Sequence, residues 1–216
     1  VSLVIVVPML GRAHRVAPLV ESIRATCAGR VLFALTPGDD EVRAAVDALD
    51  CEHIDVPRQP VGDYARKINA GYRSTTEAHI LCGADDLKFH PGWYEAAVAA
   101  LGPGIGVVGT NDLGNPRVMA GQHATHCLVT RDYADRFGTV DQAGQIMHEG
   151  YPHEYVDDEL IGTAKMRRAW AFAPGSHVEH LHPNWGKAPR DEMYDQQQAR
   201  MRAGADLYRR RRRLWT

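Results

Sequence analysis

Residues 2–8 read SLVIVVP, an apolar and β-branched run with no polar break before Pro8. A strand with one wet face alternates apolar and polar side chains, because successive residues point to opposite sides. An unbroken apolar run instead suits a strand covered on both faces, as in a parallel sheet flanked by helices. The chain that follows fits such a sheet. GRAHRVAPLVESIRAT sets Val16, Leu19, Val20 and Ile23 at helical spacing, and RVLFALTPGDD is a second strand running into a turn. EVRAAVDALD reads as a helix and EHIDVPR as a short strand. GDYARKINAGYRST is helical with Tyr64, Ile68 and Tyr72 inward. AHILCGADD is a strand and GWYEAAVAALG a helix. Strand and helix thus alternate over the first hundred residues, the pattern of an α/β sheet with right-handed crossovers.

The second half is less regular. IGVVGTND and HATHCLVTR read as strands, RDYADRFG as a short helix, and HEYVDDELIGTAKMR as a loop entering a helix. RAWAFAPGSHVEHLHP is strand-like, and from Asp191 the chain is polar and helix-prone. A length of 216 residues accommodates one sizeable domain. The net charge of −2 gives no whole-molecule field toward nucleic acid or membrane. Charge is uneven, however: residues 209–213 are consecutive arginines (Arg209, Arg210, Arg211, Arg212, Arg213). Cys27, Cys51, Cys82 and Cys127 form no C-x-x-C pair and read as free thiols of a reducing compartment. The first apolar run is too short to span a bilayer and lacks a basic flank, so the expected location is cytoplasmic.

ILCGADDLKFHPGW ends its apolar run in two adjacent acids, Asp85 and Asp86. Ligands of open α/β sheets bind outside the carboxyl ends of the strands, where these acids fall. Two neighbouring carboxylates repel and need a cation or donors, and a hard divalent metal shared with a substrate's phosphates supplies one. A helix N-cap is the other reading of such acids. Gly104-x-Gly106-x-x-Gly109 matches the dinucleotide fingerprint by letter, but it follows a helix and runs into a strand, the reverse of the required context. No P-loop and no G-x-S-x-G is present.

In order, VVPMLGR, YARKINAGYR, GADDLKFHPGW, YVDDELIGTA and HVEHLHP resemble the motifs of GT-A glycosyltransferases of the family-two type, over about residues 2–187. The resemblance implies a single GT-A (Rossmann-like) domain at 1–190, its mostly parallel central sheet flanked by helices. Its nucleotide-binding half would be 1–100, its acceptor half 101–190, and 191–216 a helical basic tail. It implies a nucleotide-sugar donor, by likeness a UDP-sugar, with Mn²⁺ or Mg²⁺ as cofactor. Pro8 and Arg12 would border the nucleoside, Asp39 and Asp40 the base or ribose, and Arg66, Lys67 and Asn69 the nucleotide pocket. GADD takes the place of the D-x-D motif, with Gly83 standing where the first acid would be. Asp85 then corresponds to the metal-binding acid and Asp86 is its donor-side neighbour. His180 lies where similar enzymes supply a late metal ligand, with His182 a second ligand or a phosphate contact. In VDDEL, Asp157 matches the central Asp, the general base of inverting members, and Glu159 the third acid. Capping the following helix is the alternative for Asp157 and the plainer reading of Asp158.

Asp112 could reach a sugar hydroxyl or close an Asx-turn, with His123 and His126 in the same region. PNWGK would close over the donor with Trp185 as a lid and Lys187 on phosphate, or form a surface turn. The acceptor would be a cell-surface glycan or, for a small bacterial or phage enzyme acting in the host cytoplasm, a modified DNA base reached through Arg209 to Arg213. A solvated helix end is the plain reading of those arginines. The rival functions are a nucleotidyltransferase, which also sets acids at strand tips, and a non-catalytic nucleic-acid-binding module.

Overall fold

The computed structural model describes residues 2–191, 194 and 197–216. The expected strands form β1 (Leu3–Pro8), β2 (Arg30–Leu35), β3 (Glu52–Asp55), β4 (His79–Cys82), β6 (Val107–Asn111), β7 (Cys127–Thr130) and β8 (Trp170–His180). β5 (Leu87–Phe89) was not legible in the sequence. The helices are α1 (Val16–Arg24), α2 (Asp40–Asp47), α3 (Asp63–Arg73), α4 (Trp93–Ala99), α5 (Pro116–Met119), α6 (Arg131–Arg136), α7 (Val156–Met166) and α8 (Gln197–Arg212). The strands lie in the order β3-β2-β1-β4-β7-β6-β8-β5. β3, β2, β1 and β4 run parallel, β7 is antiparallel to both neighbours, and β6 and β8 are again parallel.

The apolar run of β1 does what its pattern requires. Val4 and Val6 pack into one core with Ile68 and Tyr72 of α3 and Leu160 of α7. Leu3, Ile5 and Val7 face the other core, with Leu19 and Ile23 of α1, Val42 and Val46 of α2, and Trp93 of α4. Alternate residues of one strand thus feed two cores, and a polar residue on either face would be buried without a partner. α3 approaches β1 closely at Gly71, where a Cβ would stand 2.4 Å from Val6 Cγ1. Gly71→Ala is therefore expected to destabilise the fold by about 1–3 kcal/mol through overpacking, despite Ala's better helix propensity. Urea melts of the two proteins measure this, and an unchanged midpoint would contradict it.

The tail does not stand apart from the domain. Leu207 and Tyr208 of α8 pack against the α3–α7 core, and Trp215 is 9% exposed, seated over Gly162 of α7. Arg211 reaches in to Glu159, with Nε–Oε2 at 2.7 Å and Nη2–Oε1 at 2.8 Å, and also holds Asp141. Arg209 pairs with Asp206 of its own helix at 2.9 Å. α8 is thus packed on the domain that the sequence reading sets at 1–190. The arginine run is divided, one member acting as an internal tie and the rest facing solvent, because its helical period turns only one residue inward. Within the expected tail, residues 192, 193, 195 and 196 lie outside the described residues. Among the described residues, no helix is long and apolar enough to cross a membrane.

Candidate active site

A cavity of about 560 Å³ opens over the carboxyl ends of β1 and β4, lined among others by Pro8, Arg12, Lys67, Asp85, Asp86, Asp157, His180 and His182. Gly83 leads into it from β4. Its N–H continues the ladder to Val6 O at 2.9 Å, and a Cβ there would meet that oxygen at 2.8 Å. An acid cannot occupy position 83 without breaking this approach, which explains the missing first acid of the motif.

The two acids beyond Gly83 diverge. Asp85 turns to the β1–α1 loop, where Arg12 Nη1 lies at 3.0 Å, while Arg15 Nη1 stands between the acids, 3.7 Å from Asp85 and 3.6 Å from Asp86. Asp86 turns to β8, with His180 Nε2 at 3.2 Å and the Tyr194 hydroxyl donating at 2.7 Å. The expectation paired His180 with Asp85; the structure pairs it with Asp86. The short strand β5 is the cause: it sets Leu87 opposite His180, and Leu181 N–H donates to Asp86 O at 2.8 Å. Burial and the neighbouring charge of Asp86 push the Asp85 carboxyl above the carboxylate range, against Arg12 and Arg15. Asp86 is buried too, but the charge and hydrogen bond of His180, then the Tyr194 hydroxyl, hold it well below that range, so Asp86 keeps its charge more firmly than Asp85.

This end of the cavity brings one carboxylate, Asp86, near two imidazoles, His126 and His180, although among the described residues it is His123, Asp157 and Asp158 whose ligand atoms lie within 4.8 Å of one another. His126 is 3% exposed, and its Nδ1 lies 3.0 Å from the Cys82 carbonyl, which fixes the hydrogen on Nδ1 and leaves Nε2 a lone pair. Burial, then the charge of His180, pushes His126 down to about 4, so it is neutral. Neither His126 Nε2 nor His180 Nδ1 has a hydrogen-bond partner, although both are buried. The two rings meet edge to face at 5.2 Å. Burial opposes the imidazolium of His180, but the charge and hydrogen bond of Asp86 raise it above its ordinary value. His180 would therefore have to release a proton to become a ligand, whereas His126 Nε2 has its lone pair in place. A carboxylate with imidazole suits Mn²⁺ better than Mg²⁺, which prefers oxygen ligands and water. His182 serves differently: its Nδ1 accepts Asn184 N–H at 3.1 Å, and its ring packs on Tyr194.

At the other end, α7 begins at Tyr155, whose φ of +71° is left-handed for a non-glycine residue and whose side chain makes no cap. Asp157 and Asp158 lie in the first turn, so neither is the N-cap residue, and the helix dipole favours their charge. Asp157 Oδ1 accepts Asp158 N–H at 3.0 Å, and Oδ2 lies 3.1 Å from His123 Nε2. Asp158 is held by Arg117 Nη2 at 3.1 Å. His123, Asp157 and Asp158 bring ligand atoms within 4.8 Å of one another, but Arg117 already supplies a cation there.

The other residues expected at the site are engaged as follows. Glu159 is 2% exposed and bonded to Arg211 and to the Tyr151 hydroxyl, two residues and about 200° round α7 from Asp157 and so on the opposite face. Asn69 accepts the N–H groups of Ile146 and Met147 and donates to Met147 O, pinning that loop. Arg66 pairs with Glu149. Asp112 closes a turn by accepting from Gly114 N, Asn115 N and the Thr125 hydroxyl, the Asx reading. Lys187 is spent on Leu113 O and Glu179. Asp39 accepts Gly11 N–H at 2.7 Å, and Asp40 is exposed in the first turn of α2. Lys67 lines the cavity but is tied to Met9 O, the Thr36 hydroxyl and Asp63. Trp185 lines the cavity from a 3-10 turn against Gly114.

The residues the sequence reading missed are Arg15, Asp191 and Tyr194. Arg12 Nη2 meets Asp191 at 2.8 Å and its guanidinium lies over the Tyr194 ring at 4.6 Å. Arg15 stands one helical turn from Arg12, a spacing that is visible in the sequence; Tyr194 has no local signal. Because the Tyr194 hydroxyl occupies an Asp86 oxygen, Tyr194→Phe is expected to tighten Mn²⁺ binding about tenfold. Titration of free Mn²⁺ by electron paramagnetic resonance reads this, and equal affinity would show that the hydroxyl does not compete.

No family model matches the sequence, and no curated protein matches it. Solved structures do match. Glucosyl-3-phosphoglycerate synthase from Mycobacterium tuberculosis, in complex with Mn²⁺, uridine diphosphate and glucosyl-3-phosphoglycerate, superposes with a TM-score of 0.67 at 16% identity, over 97% of this chain and 79% of that one. A mannosyltransferase from Pyrobaculum calidifontis, in complex with GDP-mannose and Mn²⁺, gives 0.63 at 16% identity, over 86% and 58%. A mycobacterial protein gives 0.62 at 15% identity, over 89% and 69%. At these identities the likeness is one of architecture, and the architecture of this chain is the GT-A glycosyltransferase fold.

Proposed function

We propose that this chain is a metal-dependent glycosyltransferase that moves a sugar from a nucleotide diphosphate donor, a UDP-sugar, to an acceptor hydroxyl with inversion at the anomeric carbon. The observation that carries this reading is that Asp86 with His180 and the carboxylate of Asp157 open on one cavity, in a fold shared with structures holding Mn²⁺ and nucleotide. Asp86 and His180, with His126 beside them, would hold the cation, which when bound neutralises charge growing on the leaving diphosphate. This replaces Asp85 by Asp86 as the primary ligand. Pro8 and the β1–α1 loop border the nucleoside. Arg12 and Arg15, freed from the acids and from Asp191, face the diphosphate.

Asp157 takes the acceptor's hydroxyl proton. The acceptor oxygen forms its bond to the anomeric carbon as the bond from that carbon to the diphosphate oxygen breaks, and the electron pair leaves with the nucleoside diphosphate. A thermal-shift panel of nucleotide-sugars with and without Mn²⁺ tests this. A UDP-sugar at 100 times its Kd stabilises by about 2.7 kcal/mol, and the shift requires Mn²⁺. No shift with any nucleotide-sugar would overturn the reading.

A further inference from the structure

We propose that His123 is a positioning residue for sugar transfer: its Nε2–H fixes the plane of the Asp157 carboxylate so that a lone pair faces the acceptor hydroxyl. This rests on the reading of Asp157 as the base. His123 is 4% exposed and lines the cavity with Asp157. Its Nε2 lies 3.1 Å from Asp157 Oδ2, while Asp157 Oδ1 accepts the Asp158 N–H at 3.0 Å. A carboxylate turns about a broad, roughly two-fold torsion. One donor on each oxygen removes that freedom and still leaves a lone pair on each.

The contact joins two separate elements that are themselves tied together. His123 sits on the loop entering β7. That loop is anchored by Thr125, whose hydroxyl donates to Asp112 at 2.9 Å, and by Lys165 of α7, which donates to Gln122 O at 2.7 Å. The loop therefore moves with the helix that carries Asp157. Behind the imidazole, Nδ1 lies 3.8 Å from Asp158 Oδ1, beyond hydrogen-bond reach, so the hydrogen facing a carboxylate is the one on Nε2.

During transfer His123 neither gains nor loses a proton: the acceptor's proton passes to Asp157 and stays there until product leaves. The charge of His123 matters nonetheless. Burial opposes the imidazolium, but the hydrogen bond and charge of Asp157, with Asp158 behind, raise His123 above its ordinary value, while Arg117 opposes. Tyr64 and His153 line the same cavity, and the charge of Asp157 is felt by both and by the buried Cys127. A cationic His123 holds Asp157 as a poorer base, and a neutral one orients it without that cost. Turnover should therefore rise with pH through a midpoint above about 6.5.

The test uses the full chain with ¹⁵N-labelled histidine and, as the donor probe, UDP-glucose hydrolysis in Mn²⁺ with water as the acceptor. The histidine titration should show His123 protonated at Nε2, with a midpoint above the ordinary value that falls in Asp157→Asn. His123→Ala should lower kcat about 10–100-fold, with KM changed by no more than about twofold. His123→Gln, whose amide can donate from the same place, should recover part of that loss and abolish the acid limb of the pH profile. A melt of each variant confirms folding. If hydrolysis runs in the parent but kcat and the pH profile are unchanged in His123→Ala, the positioning role is wrong and the glycosyltransferase reading stands. If His123→Ala raises KM alone, the residue is a binding contact and the proposal is overturned. If no nucleotide-sugar is hydrolysed by the parent, the glycosyltransferase reading falls and the proposal with it.

Discussion

Asp86→Asn is expected to remove Mn²⁺-dependent donor hydrolysis, with kcat down by about 10²–10³-fold. The neutral amide keeps the shape and can still face His180 and Tyr194, so folding should survive while the anionic ligand is lost. The companion change Asp85→Asn should act more weakly on metal, because the Asp85 carboxylate is directed to Arg12 rather than to His180. Mn²⁺ titration by electron paramagnetic resonance on both variants separates the two acids. Full Mn²⁺ affinity in Asp86→Asn, with loss in Asp85→Asn, would return the ligand role to Asp85.

The second large effect is on stability. Arg211→Ala leaves Glu159 buried with only the Tyr151 hydroxyl as a side-chain partner. Breaking one side of a buried pair costs about 3–5 kcal/mol. For a chain of this length that corresponds to a fall in Tm of roughly 6–20 °C. Removing both charges, as in Glu159→Leu with Arg211→Met, should recover much of the loss, since an apolar pair needs no desolvated charge. Calorimetry on the single and double variants reads the difference. An Arg211→Ala melt unchanged within about 2 °C would mean that α8 is not held through this residue. The result also bears on the arginine run: the side chain that looks most like part of a polyanion-binding patch is a strut of the domain.

The same comparison shows what kind of information a local motif carries. VDDEL is one string, yet Asp157 faces the cavity, Asp158 pairs with Arg117 and Glu159 lies in the core. Successive helical residues are rotated by about 100°, so Asp157 and Asp158 both reach the cavity while Glu159, about 200° from Asp157, turns to the core, and the sequence does not say which face is covered until α8 is placed. YARKINAGYR behaves likewise: Lys67 borders the cavity while Arg66 and Asn69 brace the loop at 146–149.

The strand and helix alternation of the first hundred residues, the double-sided burial of β1 and the gathering of acids at the sheet's open end were all fixed by residue pattern, because periodicity and turn chemistry act over a few neighbouring residues. The pairing of Asp86 with His180, of Asp157 with His123 and of Glu159 with Arg211 was decided only in three dimensions. Those partners are 94, 34 and 52 residues apart. A three-residue strand, a pinned loop and a terminal helix bring them together, and none of these leaves a periodic trace of its own.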